Sequence, residues 1–249
     1  MSRSPVSLSL QSLPSDVWHA DALAGAPAQV LATGDRLLDA QLPGGGWPIG
    51  ALVELLQPQG VHSEWRLLLP ALARCGSGPV VLVGAPHPPF APALAAQGLR
   101  TARLLWVTAQ ALSARLWAAE QALRCAPVDA VLVWLPEGRK EAVRSDQLRR
   151  LQIAAAEHHK LLFVMRPATT QNAPSPAALR LHMGPRVPQD GTPGAPGAED
   201  ALEVQVHKRR GPPLAQPLHL AARPARLSML LAAQAWRPGH ALDRTAARA

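Results

Sequence analysis

Short continuous apolar runs alternate along this chain with longer segments of helical period. Leu52 to Leu56, Val80 to Val83, Leu104 to Val107, Ala130 to Leu135 and Leu161 to Met165 are runs of four to six residues. Runs of that length without polar alternation mark strands buried on both faces, as in a parallel sheet. Between them, Val61 to Arg74 places Val61, Trp65, Leu68 and Leu72 on one stripe. Ala109 to Cys125 does the same with Leu112, Leu116 and Leu123, leaving Arg115 and Glu120 on the wet side. Ser145 to His159 offers Leu148, Leu151, Ile153 and Ala155 as apolar positions, with Arg144, Arg149 and Arg150 along its exposed side. Strand–helix alternation of this kind predicts an α/β fold with a mostly parallel central sheet and helices on both faces.

Ala177 to Met183 and Leu202 to Lys208 read as a later strand pair. The intervening Gly184 to Asp200 is rich in Pro and Gly and has no apolar period, so a disordered or mobile loop outside the sheet is expected. Residues 1–28 form a polar N-terminal extension, with one short helix predicted near Ser15 to Leu23 and Ser15 as its N-cap. Residues 226–249 read as a terminal helix, Arg226 to Trp236, followed by a tail. The expected organisation is therefore a core over 29–225, containing the loop 184–200, between two extensions.

Composition changes this picture modestly. The chain has 249 residues, 48% of them apolar, enough for one sizeable domain. Its net charge of +8 is carried almost entirely by Arg, the lysines being Lys140, Lys160 and Lys208. A basic balance favours anionic partners, nucleic acid first; a compositionally biased solvated surface gives the same balance. Cys75 and Cys125 show neither metal-ligand spacing nor a disulfide framework. Pro and Arg interrupt every apolar stretch well short of the roughly 18 residues a membrane span needs. The N-terminus lacks an apolar secretory core. A reducing, cytoplasmic setting without membrane contact is expected.

The most specific signal is Thr33 to Pro70, TGDRLLDAQLPGGGWPIGALVELLQPQGVHSEWRLLLP. Thr33, Gly34, Leu38, Asp39, Leu42, Gly44, Gly45, Pro48, Gly50 and Glu54 resemble the approach to the phosphate-binding loop of RecA-type proteins. The loop itself departs from the pattern. A phosphate loop reads GxxxxGK[ST], because small residues let backbone N–H groups cradle phosphate while Lys and a hydroxyl hold charge and Mg²⁺. The corresponding residues run from Gln57 to Glu64, with Ser63 at the lysine position and Glu64 at the hydroxyl position. In the same resemblance Pro86 stands where a water-activating glutamate is expected. Trp134 stands where an aspartate would order Mg²⁺. An indole cannot ligate a hard cation.

Within the RecA-like superfamily the chain resembles the ImuA family of translesion DNA synthesis-associated proteins. The resemblance rests on Gly45-Gly46-Trp47-Pro48-Ile49-Gly50-Ala51-Leu52, Glu54-Leu55-Leu56, Gly60, Glu64 and Leu67-Leu68-Leu69-Pro70-Ala71-Leu72. It is specific there and looser from about Val80 to Leu220. It implies a RecA-like core with a degenerate phosphate-binding loop, no catalysis and no cofactor. The implied role is that of an adaptor in the damage-induced mutasome, nucleoid-associated in the cytoplasm. The implied partners are a catalytically inactive Y-family polymerase homologue, the error-prone polymerase of the same cassette, RecA and single-stranded DNA. Two alternatives stay open: a division inhibitor similar to SulA, which would bind the tubulin-like division protein, and an atypical ATP-binding protein.

Other candidate residues are less specific. His62, Ser63 and Glu64 are adjacent at a helix start, so they cannot face one another as a triad; capping is the expected role. His158-His159 point about 100° apart on a helix and suit one metal poorly. Arg139, Lys140 and Arg144 follow the strand ending at Trp134, and Lys208-Arg209-Arg210 is the sharpest basic run. These six are the candidate nucleic-acid or partner-binding residues; the 208–210 run is expected to fan into one patch at its strand end, with Arg139, Lys140 and Arg144 as candidate additions to it. Trp65 and Trp117 are expected in the core, while Trp47, Trp106 and Trp134 include a candidate exposed interface anchor.

Overall fold

The computed structural model describes residues 29–136, 142–185, 201–212, 214 and 216–220. β1 (Val30–Leu31) and β2 (Trp47–Pro48) form a two-stranded antiparallel ribbon at the start of the core. The main sheet is built from β3 (Leu52–Gln57), β4 (Val80–Val83), β5 (Leu104–Val107), β6 (Ala130–Trp134), β7 (Leu161–Pro167), β8 (Leu179–Pro185), β9 (Leu202–Lys208) and β10 (Leu218–Leu220). These eight strands are ordered β10-β9-β8-β3-β7-β6-β4-β5. The six from β8 to β5 run parallel; β9 is antiparallel to β8, and β10 to β9. The fold is thus α/β with a mostly parallel central sheet, consistent with a RecA-like core.

The side-chain alternation of each strand feeds two cores. Val53, Leu55, Val80, Leu82, Leu132, Trp134 and Phe163 face α1 (Arg36–Gln41), α2 (Glu64–Leu72) and α3 (Ala91–Ala96). Leu52, Val81, Val83, Val131, Val133 and Val164 face α4 (Leu112–Arg124) and α5 (Ser145–Glu157). Helices therefore cover both faces, as the periodicity predicts. At the start of α1, the Asp35 side chain accepts from the N–H groups of Leu37 and Leu38 at 2.8 and 3.1 Å, a standard N-cap. Asp39 reaches back to the Thr33 N–H at 2.7 Å. Thr33 and Asp39, both part of the RecA-like run, thus have local structural work. Gly46 is held close: a Cβ there would collide with the Leu31 carbonyl across the β1–β2 ribbon.

Several expectations are corrected. The second helix begins at Glu64 rather than Val61; Val61 instead closes a turn onto the Pro58 carbonyl at 3.1 Å. Gly184 and Pro185 belong to β8, paired with Glu203 and Leu202. The rest of the expected loop, 186–200, lies outside the described residues, as do the N-terminal extension and the Arg226–Trp236 helix. Ile153 is 47% exposed and Trp117 65% exposed, so neither is core. Apolar side chains fall on the outer faces of α5 and α4 there. Arg115, expected on the wet side of α4, is half-buried. It donates from Nε to the Ala109 carbonyl at 2.8 Å and from Nη1 to the Trp134 carbonyl at 2.7 Å. Gly84, at φ +66°, leaves room for it: a Cβ would meet that guanidinium at 2.5–2.7 Å. Among the described residues no helix is long and apolar enough to cross a membrane.

The core also holds a charge, the glutamate inside the apolar run LVELL. Glu54 is fully buried. Its Oε1 takes Arg166 Nη1 from β7 at 2.9 Å, and its Oε2 pairs with Arg180 Nε from β8. Arg180 also donates to the carbonyls of Thr170, Gln171 and Ala173 at 2.9–3.1 Å. Three central strands and the loop after β7 are therefore tied to one carboxylate.

Candidate functional site

In open α/β sheets, ligands bind in the crevice beyond the carboxyl ends of the parallel strands. Here that edge carries a cleft of about 470 Å³ lined by Gln57, His62, Pro86, Trp106, Arg115 and Trp134 among others. Four residues that the sequence resemblance sets against a phosphate loop and its Mg²⁺ aspartate, Gln57, Ser63, Glu64 and Trp134, meet where β3, α2 and β6 come together; Gln57 and Trp134 line this cleft, and Glu64 lines the adjoining one. Gln57 is the last residue of β3 and is buried. Its Oε1 accepts the Ser63 N–H at 2.8 Å, and its Nε2 donates to Glu64 Oε2 at 3.0 Å. Glu64, 1% exposed at the first turn of α2, accepts the Trp134 indole N–H on Oε1 at 3.2 Å. Both carboxylate oxygens of Glu64 thus have a partner from the chain itself. Pro86 sits exposed after β4 on the rim.

This geometry sets what the site can do. A helix N-terminus ordinarily offers free N–H groups and positive potential to an anion. At α2 the Ser63 N–H is already taken, and a carboxylate occupies the first turn. A second negative charge brought within about 4 Å of it would be repelled by roughly 4 kcal/mol at an effective dielectric of 20. Ser63 is the N-cap by position, yet its side chain makes no capping hydrogen bond. The expected capping role passes to Gln57, which no local pattern announces. His62 lies edge-on to His87, ring centroids 5.1 Å apart. Among the described residues no three His, Cys, Asp or Glu side chains gather as a metal site.

Of the six basic candidates, Arg144, Lys208, Arg209 and Arg210 are among the described residues. Arg139 and Lys140 lie outside the described residues. Arg144 precedes α5 and is held by Asp146, Nε–Oδ1 3.0 Å and Nη2–Oδ2 3.1 Å. Hydrogen bonding to Arg144 draws the Asp146 carboxyl below its usual value, and Arg144 is raised in return. Lys208 is the last residue of β9, and Arg209 and Arg210 follow it; β9 lies four strand positions away from β6, about 19 Å at ~4.8 Å per step. β9 also runs antiparallel to β8 and the parallel strands beyond it, so the run heads away from the carboxyl edge. The structure therefore separates Arg144 from the 208–210 run. Within that run, Lys208 Nζ donates to the Ser175 carbonyl at 3.1 Å. Arg209 is half-buried, donating to the Pro212 carbonyl at 2.7 Å and to the Gln41 carbonyl at the end of α1. Arg210 is exposed.

Of the tryptophans, Trp47 is fully buried, edge-on to Phe163 at 5.4 Å, and Trp134 is 7% exposed. Trp106 is 41% exposed on the edge strand β5, beside Leu105 at 53%. Trp106 is thus the exposed member of the expected trio.

On the antiparallel strands, His182 and His207 stack edge-on at 5.9 Å. His207 is exposed on β9, yet partial desolvation, then the nearby His182 and Arg180 charges, push its pKa down. A histidine with a lowered folded pKa binds fewer protons folded than unfolded. Its penalty is absent above the unfolded value, near 6.5, and grows as pH falls toward the folded value. His207→Gln is therefore expected to shrink the fall in urea midpoint between pH 7.5 and pH 5.5; an unchanged fall would rule out His207 as a contributor.

No family model matches the chain, and no curated protein matches it.

Proposed function

We propose that this chain is a non-catalytic, RecA-like adaptor of the translesion synthesis machinery, of the ImuA type. The observation that supports it best is the closed cluster of Gln57, Ser63, Glu64 and Trp134 at the carboxyl edge of the sheet. Where a RecA-type ATPase would hold phosphate and Mg²⁺, this chain holds its own buried carboxylate against an indole. The Gly45–Leu72 resemblance supplies the family. The partners it brings are an inactive Y-family polymerase homologue, the error-prone polymerase, RecA and single-stranded DNA. The surface left for them includes Trp106 on the sheet edge and Arg210 beyond β9, both exposed.

The purified chain is expected to release phosphate from ATP no faster than a buffer blank, with or without single-stranded DNA. It is expected to co-purify with the inactive polymerase homologue from cells expressing both. ATP turnover abolished by substituting Ser63 or Glu64 would sink the pseudo-ATPase reading. Capture of the tubulin-like division protein instead of the polymerase homologue would replace the adaptor with a division inhibitor.

A further inference from the structure

β5 closes the main sheet on one side, so one of its edges is free among the described residues. Its bonding to β4 fixes which backbone groups point outward. The Gly84 N–H donates to the Val107 carbonyl at 2.9 Å, so Val107 turns its backbone groups toward β4. Direction alternates along a strand. Leu105 therefore turns inward like Val107, while Leu104 and Trp106 turn to the free edge. The Leu104 N–H is taken by the Thr101 carbonyl. The Leu104 carbonyl and both backbone groups of Trp106 have no partner among the described residues.

Edge strands are usually guarded by Lys, Pro or a bulge. This one is not. Leu104 to Gln110, LLWVTAQ, holds no charge, no Pro and no Gly. Its pairing with β4 runs in unbroken register from Val80–Leu104 to Val83–Val107. Leu105 and Trp106 are both exposed, yet they lie on opposite faces of the sheet. Leu105 aligns with Val81 and Trp106 with Leu82, and those two belong to different cores. Apolar surface is thus bare on both sides of one unpaired backbone. A helix or loop packed on one face would cover only half of it; a strand laid along the edge covers both.

We propose that β5 pairs antiparallel with β5 of a second copy, about a two-fold axis through Trp106, joining two sheets into one. The unpaired groups match themselves about that residue, as a two-fold contact requires. Trp106 carries a free donor and a free acceptor, so the two Trp106 residues exchange two N–H···O bonds, as in a hydrogen-bonded antiparallel pair. The Leu104 carbonyl then lies opposite Thr108 of the second copy, and Leu105 opposite Val107. Charge agrees with this choice. Copies that each carry +8 repel one another, and the uncharged seam is where they approach with least repulsion. A seam of one short strand is small beside the roughly 1,200–2,000 Å² of a stable interface, so dimer and monomer are expected to exchange in the micromolar range. The proposal goes beyond the adaptor reading and does not rest on it. It assigns Trp106 to a second copy and leaves Arg210 to other partners.

Sedimentation equilibrium of the full chain tests it. The mean mass is expected to rise with concentration from that of the 26.4 kDa chain toward twice that value. Trp106→Pro deletes an outward N–H and leaves the bonds to β4 in place. Leu105→Lys puts like charges on one face of the seam and leaves the backbone intact. Each is expected to raise the dissociation constant by about tenfold or more, through two lost reciprocal bonds in the first and charge repulsion in the second. Amide exchange in β6 should match the parent, showing an intact sheet; if Trp106→Pro unfolds, Leu105→Lys alone decides. In the unsubstituted chain the Trp106 N–H should exchange more slowly as concentration rises. A chain that stays monomeric up to about 100 µM overturns the proposal. So does a dimer that the substitutions leave unchanged, because another surface then holds it. A Trp106 N–H protected equally at every concentration also overturns it, because the edge is then covered within one chain.

Discussion

Glu54→Ala is expected to be the most damaging single substitution in the sheet, lowering stability by about 3–5 kcal/mol. That is the range for removing one partner of a buried ion pair, because the charge left behind stays desolvated. Here two guanidinium groups are left behind. Arg166 and Arg180 are 1% and 8% exposed, and both pair with the one carboxylate. Arg180 keeps its carbonyl partners in the 170–173 loop, which limits the loss on its side. Against a typical domain stability of roughly 5–15 kcal/mol, such a change leaves a chain that is marginal at physiological temperature. Glu54→Gln should fall between, retaining a hydrogen-bond acceptor without the charge. Glu203→Ala, on the half-exposed end of β9, should stay within about 0.5 kcal/mol. Urea unfolding of the three variants checks the ranking. A Glu54→Ala variant within about 1 kcal/mol of the parent, well short of the buried-pair range, would show that the two arginines find other partners.

The strands were legible because a parallel sheet leaves no wet side to its inner members. LVELL, VVLV, AVLVW and LLFVM are buried residue by residue. LLWV has the same pattern yet lies at the edge, with Leu105 and Trp106 exposed. Edge or centre is a property of strand order, which no local window contains. The same limit hid the partners of Glu54. A charge within an apolar strand is visible in the sequence, but Arg166 lies 112 residues further on, and only the β3–β7 pairing brings it close. β1, β2 and β10 are two or three residues long and carry no period to detect. Trp117 and Ile153 misled because apolar residues at helical spacing need not face inward. At the candidate site, the departures from the phosphate-loop pattern were legible as residue types. Their bonding to one another was not, since it depends on β3, α2 and β6 meeting. The distance of Arg144 from the 208–210 run was hidden for a related reason: charge is visible in sequence, but the four strand steps between β9 and β6 are not.

Trp134 carries the second large effect. Trp134→Ala should cost about 3–5 kcal/mol, the usual loss for a buried aromatic truncated to a methyl group. The more informative change is Trp134→Phe, which keeps most of the volume and removes the N–H. Glu64 Oε1 then loses its indole donor while staying buried, and an unsatisfied buried acceptor costs about 1–3 kcal/mol. Glu64→Met removes the acceptor and leaves the indole N–H and Gln57 Nε2 unpaired instead. The two changes together should be milder than their sum by at least about 0.5 kcal/mol, because the double variant no longer strands one half of the Trp134–Glu64 bond. A cycle that closes to within about 0.3 kcal/mol, the scatter of independent sites, would mean that Trp134 acts by packing alone. The double variant also separates structure from chemistry. It removes the carboxylate that would repel phosphate, yet Gln57 still takes the Ser63 N–H and no lysine or hydroxyl is gained. ATP affinity is therefore expected to remain undetectable by equilibrium dialysis. Measurable binding in the double variant would show that Glu64 alone keeps nucleotide out, and that the rest of the loop still forms a working cradle.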